Sequence, residues 1–154
     1  MKKIFLLLAA VSLAGCVSTK STLKNVDDNA PNLQLKDNAF VIEQVSTDPK
    51  YGYDPDYPIN LFYLNTRSEE KNPKRFFEAL AGPNGEKLFY SRVDTCCPFP
   101  SDKTEMGAGL LDVYEVRWVG IKRPLRLYIN IYSKGVLMAP MGFTIKNSSN
   151  TTTP

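Results

Sequence analysis

Two cysteines stand side by side at Cys96-Cys97, followed by Pro98 and Phe99. Adjacent thiols offer redox cycling, soft-metal binding or a static bridge. Consecutive α-carbons lie about 3.8 Å apart across a trans peptide, below the usual disulfide range of about 4.4–6.8 Å. A bridge between neighbours is therefore expected to be strained and comparatively easy to reduce. Two free thiols and a bond to another molecule are the alternatives. Metal binding would recruit Met106, Met138 or Met141, but a metal site needs three or four ligands, and the chain has no Cys-x-x-Cys. It also has no histidine. That excludes His-based general acid–base catalysis, a Ser-His or Cys-His nucleophile pair and His-ligated metal. We assign no catalytic residue, cofactor or metal. Cys96 and Cys97 are expected as structural thiols, with a thiol redox role as the alternative.

A second candidate lies at Tyr51, Tyr53 and Tyr57, interleaved with Asp54 and Asp56. Aromatics beside carboxylates can bind sugars or peptides, and loops on a rigid scaffold often carry function. The commoner use of such a tyrosine is to pack its ring and leave its hydroxyl wet. The spacing of an EF-hand loop is absent. Gly82-Pro83-Asn84-Gly85 lacks the Lys-Ser/Thr end of a phosphate loop and reads as a turn.

The third cysteine has a different context. Lys2-Lys3 precede an apolar stretch from Ile4 to Leu13, and Leu13-Ala14-Gly15 lead into Cys16. Only about ten residues are continuously apolar or small, against about 20 for a membrane span. The pattern is that of a secretory signal, residues 1–15, ending at a cysteine. It resembles a bacterial lipobox. The resemblance implies a diacylglyceryl thioether on Cys16, cleavage before it, and an acyl chain such as palmitate on the new amine. Two or more chains anchor stably where one does not. In Gram-negative lipoproteins an Asp next to the cysteine acts as an inner-membrane retention signal. Val17 and Ser18 follow here, which points to the outer membrane with the domain in the periplasm.

Removal of residues 1–15 leaves 139 of 154 residues, one domain with room for a core. Losing Lys2 and Lys3 reduces 19 basic residues to 17 against 16 acidic ones, a net charge of +1. No clustered basic excess marks a nucleic-acid partner. The nearest such patch, Lys122, Arg123 and Arg126, reads as a solvated face.

Residues 16–39 are polar without periodicity and read as the lipidated Cys and a flexible tether. Residues 40–146 form the domain, and 147–154 a frayed tail. Strands are expected over 40–45, 59–64, 87–93, 113–119 and 125–132, with a short one near 142–145. Leu125, Leu127, Ile129 and Ile131 alternate with Arg126, Tyr128, Asn130 and Tyr132. Tyr114, Val116 and Trp118 share one face of the preceding strand, and the short Gly120–Pro124 connection makes the two an antiparallel pair. Asn72-Pro73 opens a short helix, Asn as cap and Pro at the first position, with Phe76, Phe77 and Leu80 on one face. Residues 94–109, with both cysteines, are expected as a loop. The fold class is α+β, a mainly antiparallel sheet with one short helix packed on it.

Six segments taken together resemble a family of small bacterial lipoproteins. They are Tyr51-Gly52-Tyr53, Gly82 to Glu86, Cys96-Cys97-Pro98-Phe99, Leu110 to Val116, Leu125 to Tyr132 and Pro140-Met141-Gly142-Phe143. Members sometimes bear the label 2-dehydro-3-deoxyphosphooctonate aldolase. Enzymes of that name are (β/α)₈ barrels, which need about 250 residues and eight strand–helix repeats. This chain has neither. The expectation is a non-enzymatic, outer-membrane-anchored periplasmic lipoprotein that binds a partner in the envelope, held to the membrane through Cys16.

Overall fold

The computed structural model describes residues 21–146. The signal segment, Cys16 and the tail lie outside the described residues. Strands β1 (Leu35–Lys36) and β2 (Ala39–Phe40) form a small hairpin. β3 (Ile59–Asn60), helix α1 (Lys71–Glu78) and β4 (Leu80–Ala81) follow. β5 (Phe89–Pro100), β6 (Ala108–Arg117) and β7 (Leu125–Asn130) make the main sheet with β3, and β8 (Thr144–Ile145) pairs with β4. The main sheet runs β3-β7-β6-β5, antiparallel except for the parallel β3–β7 pair. The fold is α+β and mainly antiparallel, as the alternation of β6 and β7 requires.

The core sits where α1 meets the sheet. Tyr114, Val116, Leu127, Ile129 and Ile131 present one face, and Phe76 and Phe77 of α1 bury against it. The Phe77 ring stacks on Tyr90 at a centroid distance of 4.2 Å and lies 5.3 Å from Tyr114. Such aromatic pairs add about 0.5–1.5 kcal/mol each beyond the area that they bury.

Several elements differ from expectation for identifiable reasons. Asn72 does not cap α1. The helix begins two residues earlier, at Lys71, and the Asn72 side chain turns inward to donate to the Leu61 carbonyl at 3.1 Å. A buried carbonyl left without a donor costs more than an exposed cap contributes. Ser68 Oγ accepts from the Lys71 N–H instead. Leu80 leaves the helix because β4 pairs with Ile145. The 40–45 strand shrinks to β2 plus an isolated Val45–Ala139 bridge. The 94–109 loop shortens to the turn after Pro100, because β5 carries the cysteines as strand.

The larger difference lies at 21–39, expected as tether. The backbone N–H of Lys24 donates to the Asp56 carbonyl at 2.8 Å, and that of Asp27 to Lys134 at 3.0 Å. Asp37 and Asn38, both at positive φ (51° and 62°), supply the tight turn between β1 and β2. The fastening is a chain of amides, buried at Asn130 and Asn60 and half-buried at Asn25. Asn130 Nδ2 donates to Asn60 Oδ1 at 2.8 Å, and Asn60 Nδ2 donates to the Asn25 carbonyl at 3.0 Å. Asn25 Nδ2 donates in turn to the Pro58 carbonyl at 2.7 Å. Asn130 Oδ1 accepts from the Tyr132 N–H at 2.9 Å. Gly135 has to be glycine here, since a Cβ would stand 2.5 Å from Asn60 Nδ2 and 2.8 Å from the Asn25 carbonyl.

Asn60→Ala strands one amide of Asn130 and the Asn25 carbonyl. It should lower unfolding free energy by about 2–3 kcal/mol in urea denaturation, the cost of orphaned buried polar groups. A change under about 0.5 kcal/mol, the size of an ordinary surface substitution, would show that the amide chain does not hold the segment.

Candidate functional site

β5 is one edge of the main sheet, with β3 at the other, and Cys96 and Cys97 lie in it, joined as a disulfide. The ladder with β6 breaks between Cys96, opposite Leu111, and Phe99, opposite Gly109. Cys97 occupies this bulge at φ 57°, a left-handed conformation that is uncommon for a residue with a side chain. Both cysteines are half-buried and Pro98 is exposed. Phe99 anchors the far side. It is 2 % exposed, packs edge-on to Tyr132 at 6.2 Å, and fills the space over Gly109, where a Cβ would meet its ring at 2.6 Å. The bridge is thus held on a fixed part of the sheet rather than on a loop.

A second bulge follows Arg92. Arg92 donates to Glu69 at 2.6 Å and to Asp112 Oδ1 at 3.2 Å. The Tyr114 hydroxyl donates to the Glu69 carbonyl at 3.0 Å. These contacts tie the segment before α1 to β5 and β6. Asp112 is the unusual member, with a side chain 7 % exposed and an Oδ2 that is buried without a partner. Burial raises the Asp112 carboxyl above its ordinary value, nearby Arg92 pulls it back, and the Glu69 charge raises it again. Burial also pushes the Tyr114 hydroxyl up to about 12.

The tyrosine candidates are spent on structure. Tyr51 is 3 % exposed, and its hydroxyl accepts from the Met138 N–H at 3.1 Å while donating to the Val136 carbonyl. Tyr53 donates to the Met141 carbonyl, and burial pushes its hydroxyl up to about 12. Tyr57 lies under the Lys50 ammonium at 5.2 Å. Asp54 Oδ1 accepts from the Asp56 N–H, a local turn contact. Tyr51 and Tyr53 therefore fasten the 136–141 segment rather than presenting hydroxyls to a ligand, and they are not gathered with Cys96 and Cys97.

No family model, curated protein or solved structure matches this chain. Among the described residues, no helix is long and apolar enough to cross a membrane, and no three His, Cys, Asp or Glu cluster for a metal.

Sequence reasoning passed over Arg92 and Asp112. A signal was present, since Asp112 shares alternate positions with Tyr114 and Val116 and so falls on the core face. Because its folded-state proton is held more tightly than in the unfolded chain, the stability that protonation contributes is full below about pH 4 and is lost as pH rises through the folded value. Asp112→Asn should therefore melt no lower than the wild type at pH 7, and its advantage should shrink as the pH falls toward 4. Thermal melts across that range check this. A large loss at pH 7 would mean that the Arg92 pair outweighs the burial cost.

Proposed function

We propose that the protein is a non-enzymatic binding module of the bacterial envelope, anchored through lipid on Cys16 to the outer membrane and facing the periplasm. The observation that carries the binding role is the outer edge of β5. It is a long strand, and among the described residues nothing pairs with its free side. Phe89 and Val93 stand there 54 % and 46 % exposed. An unpaired edge offers backbone donors and acceptors to an extended segment of a partner. Pro98 and Pro100 remove donors at the far end, which confines the open stretch to Phe89–Thr95. The disulfide bulge terminates that stretch and holds it rigid.

A photo-crosslinking residue at Val93 tests this in cells, with Val136, also exposed, as the control position. One reproducible envelope protein should be captured at Val93, absent at Val136 and lost on Phe89→Glu. No capture, or equal capture at both positions, would contradict the edge as the contact.

A thiol redox role is the second reading, supported by a closed bridge that is half-exposed. Its reaction is exchange with an envelope dithiol. The Cys96–Cys97 bond breaks, two thiols form, and the donor dithiol becomes a disulfide. Alkylation of free thiols in rapidly quenched cells should then show a reduced fraction that rises under reducing stress. A pair that stays fully oxidised in every condition would remove this reading.

A further inference from the structure

A shallow cavity of about 610 Å³ opens beside the end of β7 and the turn that follows β5. Arg67, Lys103 and Lys134 line it against one carboxylate, Asp28, and Phe62, Asn65 and Tyr132 complete the wall. The Arg67 guanidinium lies over the Tyr132 ring at 5.9 Å. Lys134 Nζ donates to Asn32 Oδ1 at 2.7 Å. Among the described residues, neither Arg67 nor Lys134 forms an ion pair, and Lys103 meets only the exposed Asp102, at 3.6 Å. Three cations against one lining carboxylate make an electropositive hollow on a chain that is otherwise almost neutral. A guanidinium fork beside two ammonium groups suits phosphate oxygens.

Its place in the fold indicates where such phosphates come from. A second hollow of about 390 Å³ adjoins the first, shares Asp28 and Lys103 with it, and is lined further by Ser21, Leu23 and a second carboxylate, Asp102. The chain is fixed to the domain from Lys24 onward. Ser21 stands five positions after Cys16, and five extended residues reach at most about 18 Å. An acylated Cys16 therefore keeps the cationic hollow next to the bilayer surface, at high effective concentration of its headgroups. We infer that Arg67, Lys103 and Lys134 dock this face onto the phosphates of anionic lipids in the membrane that holds the anchor. The inference rests on the anchoring reading above and adds an orientation to it. The hollow faces the bilayer, and the domain is held down rather than swinging from a tether.

The test uses the purified, lipidated full-length protein in two kinds of vesicle, phosphatidylcholine alone and phosphatidylcholine with one third phosphatidylglycerol. Acetylation of Lys103 by an amine reagent is read by mass spectrometry, with Lys87 as reference. Lys103 should react about fivefold more slowly in the anionic vesicles, the factor that one basic contact with such a surface supplies. The protection should vanish at high salt and in the Arg67→Ala/Lys134→Ala variant, whose melting temperature confirms its fold. Equal reactivity in both vesicles would overturn the docking. Equal protection by millimolar inorganic phosphate in detergent would also overturn it, by making the hollow a soluble-anion site. The mass of the Cys16 peptide separates the two levels. Acylation without protection removes the docking alone, whereas an unacylated Cys16 removes the anchoring reading and the docking together.

Discussion

The run of amides from Asn130 through Asn60 to Asn25 is the constraint on which the rest depends. It crosses from the central strand β7 to the parallel strand β3, and from there to a segment that precedes every strand. Asn130 and Asn60 are buried and Asn25 is half-buried, and each satisfies a partner that would otherwise be orphaned. Removing a link at Asn60 or Asn130 is costly because it leaves buried donors and acceptors without partners. The amide chain also fixes what lies beyond it. Asp28 follows Asn25 closely and lines both the cationic hollow and the one that adjoins it, so the geometry of that face follows from the amide chain.

At the opposite end of the sheet, rigidity comes from different chemistry. β5 lacks a neighbour on one side and is held by bulges, by the Cys96–Cys97 bridge and by the Arg92–Asp112–Glu69 contacts. Bulges and prolines are the usual devices that keep an edge from pairing indiscriminately. Here the bulge at Cys97 and the prolines beside it close the far end, and Phe89–Thr95, bulged at Val93, stays open. The sheet thus has one end fastened to the N-terminal segment, and one end available for a partner.

Period-two alternation in β6 and β7, the Phe76-Phe77 pair and the Gly120–Pro124 connection were enough to read the sheet, its antiparallel centre and the packed helix. Local patterning governs those elements, since burial on one face dictates the side chains. What could not be read is set by long-range pairing. Asn72 matches a cap by type, but a carbonyl eleven residues away claims its side chain. Residues 21–39 match a tether by composition. Their order comes from backbone bonds to Asp56 and Lys134, and nothing in a polar stretch announces such partners. The cysteine pair was readable as a feature, but its location in an edge strand was hidden by the prolines around it. The cationic hollow escaped altogether, because Arg67, Lys103 and Lys134 come together only in space.

Native-state hydrogen exchange on the full-length chain addresses the central point most directly. The amides of Lys24 and Asp27 decide whether the domain begins at the docked segment. A docked segment requires both to be protected, opening only with β3 and β7. Exchange of both at the rate of an unstructured peptide, while β7 stays protected, would make residues 21–39 a free tether. The cationic face would then have no fixed relation to the membrane.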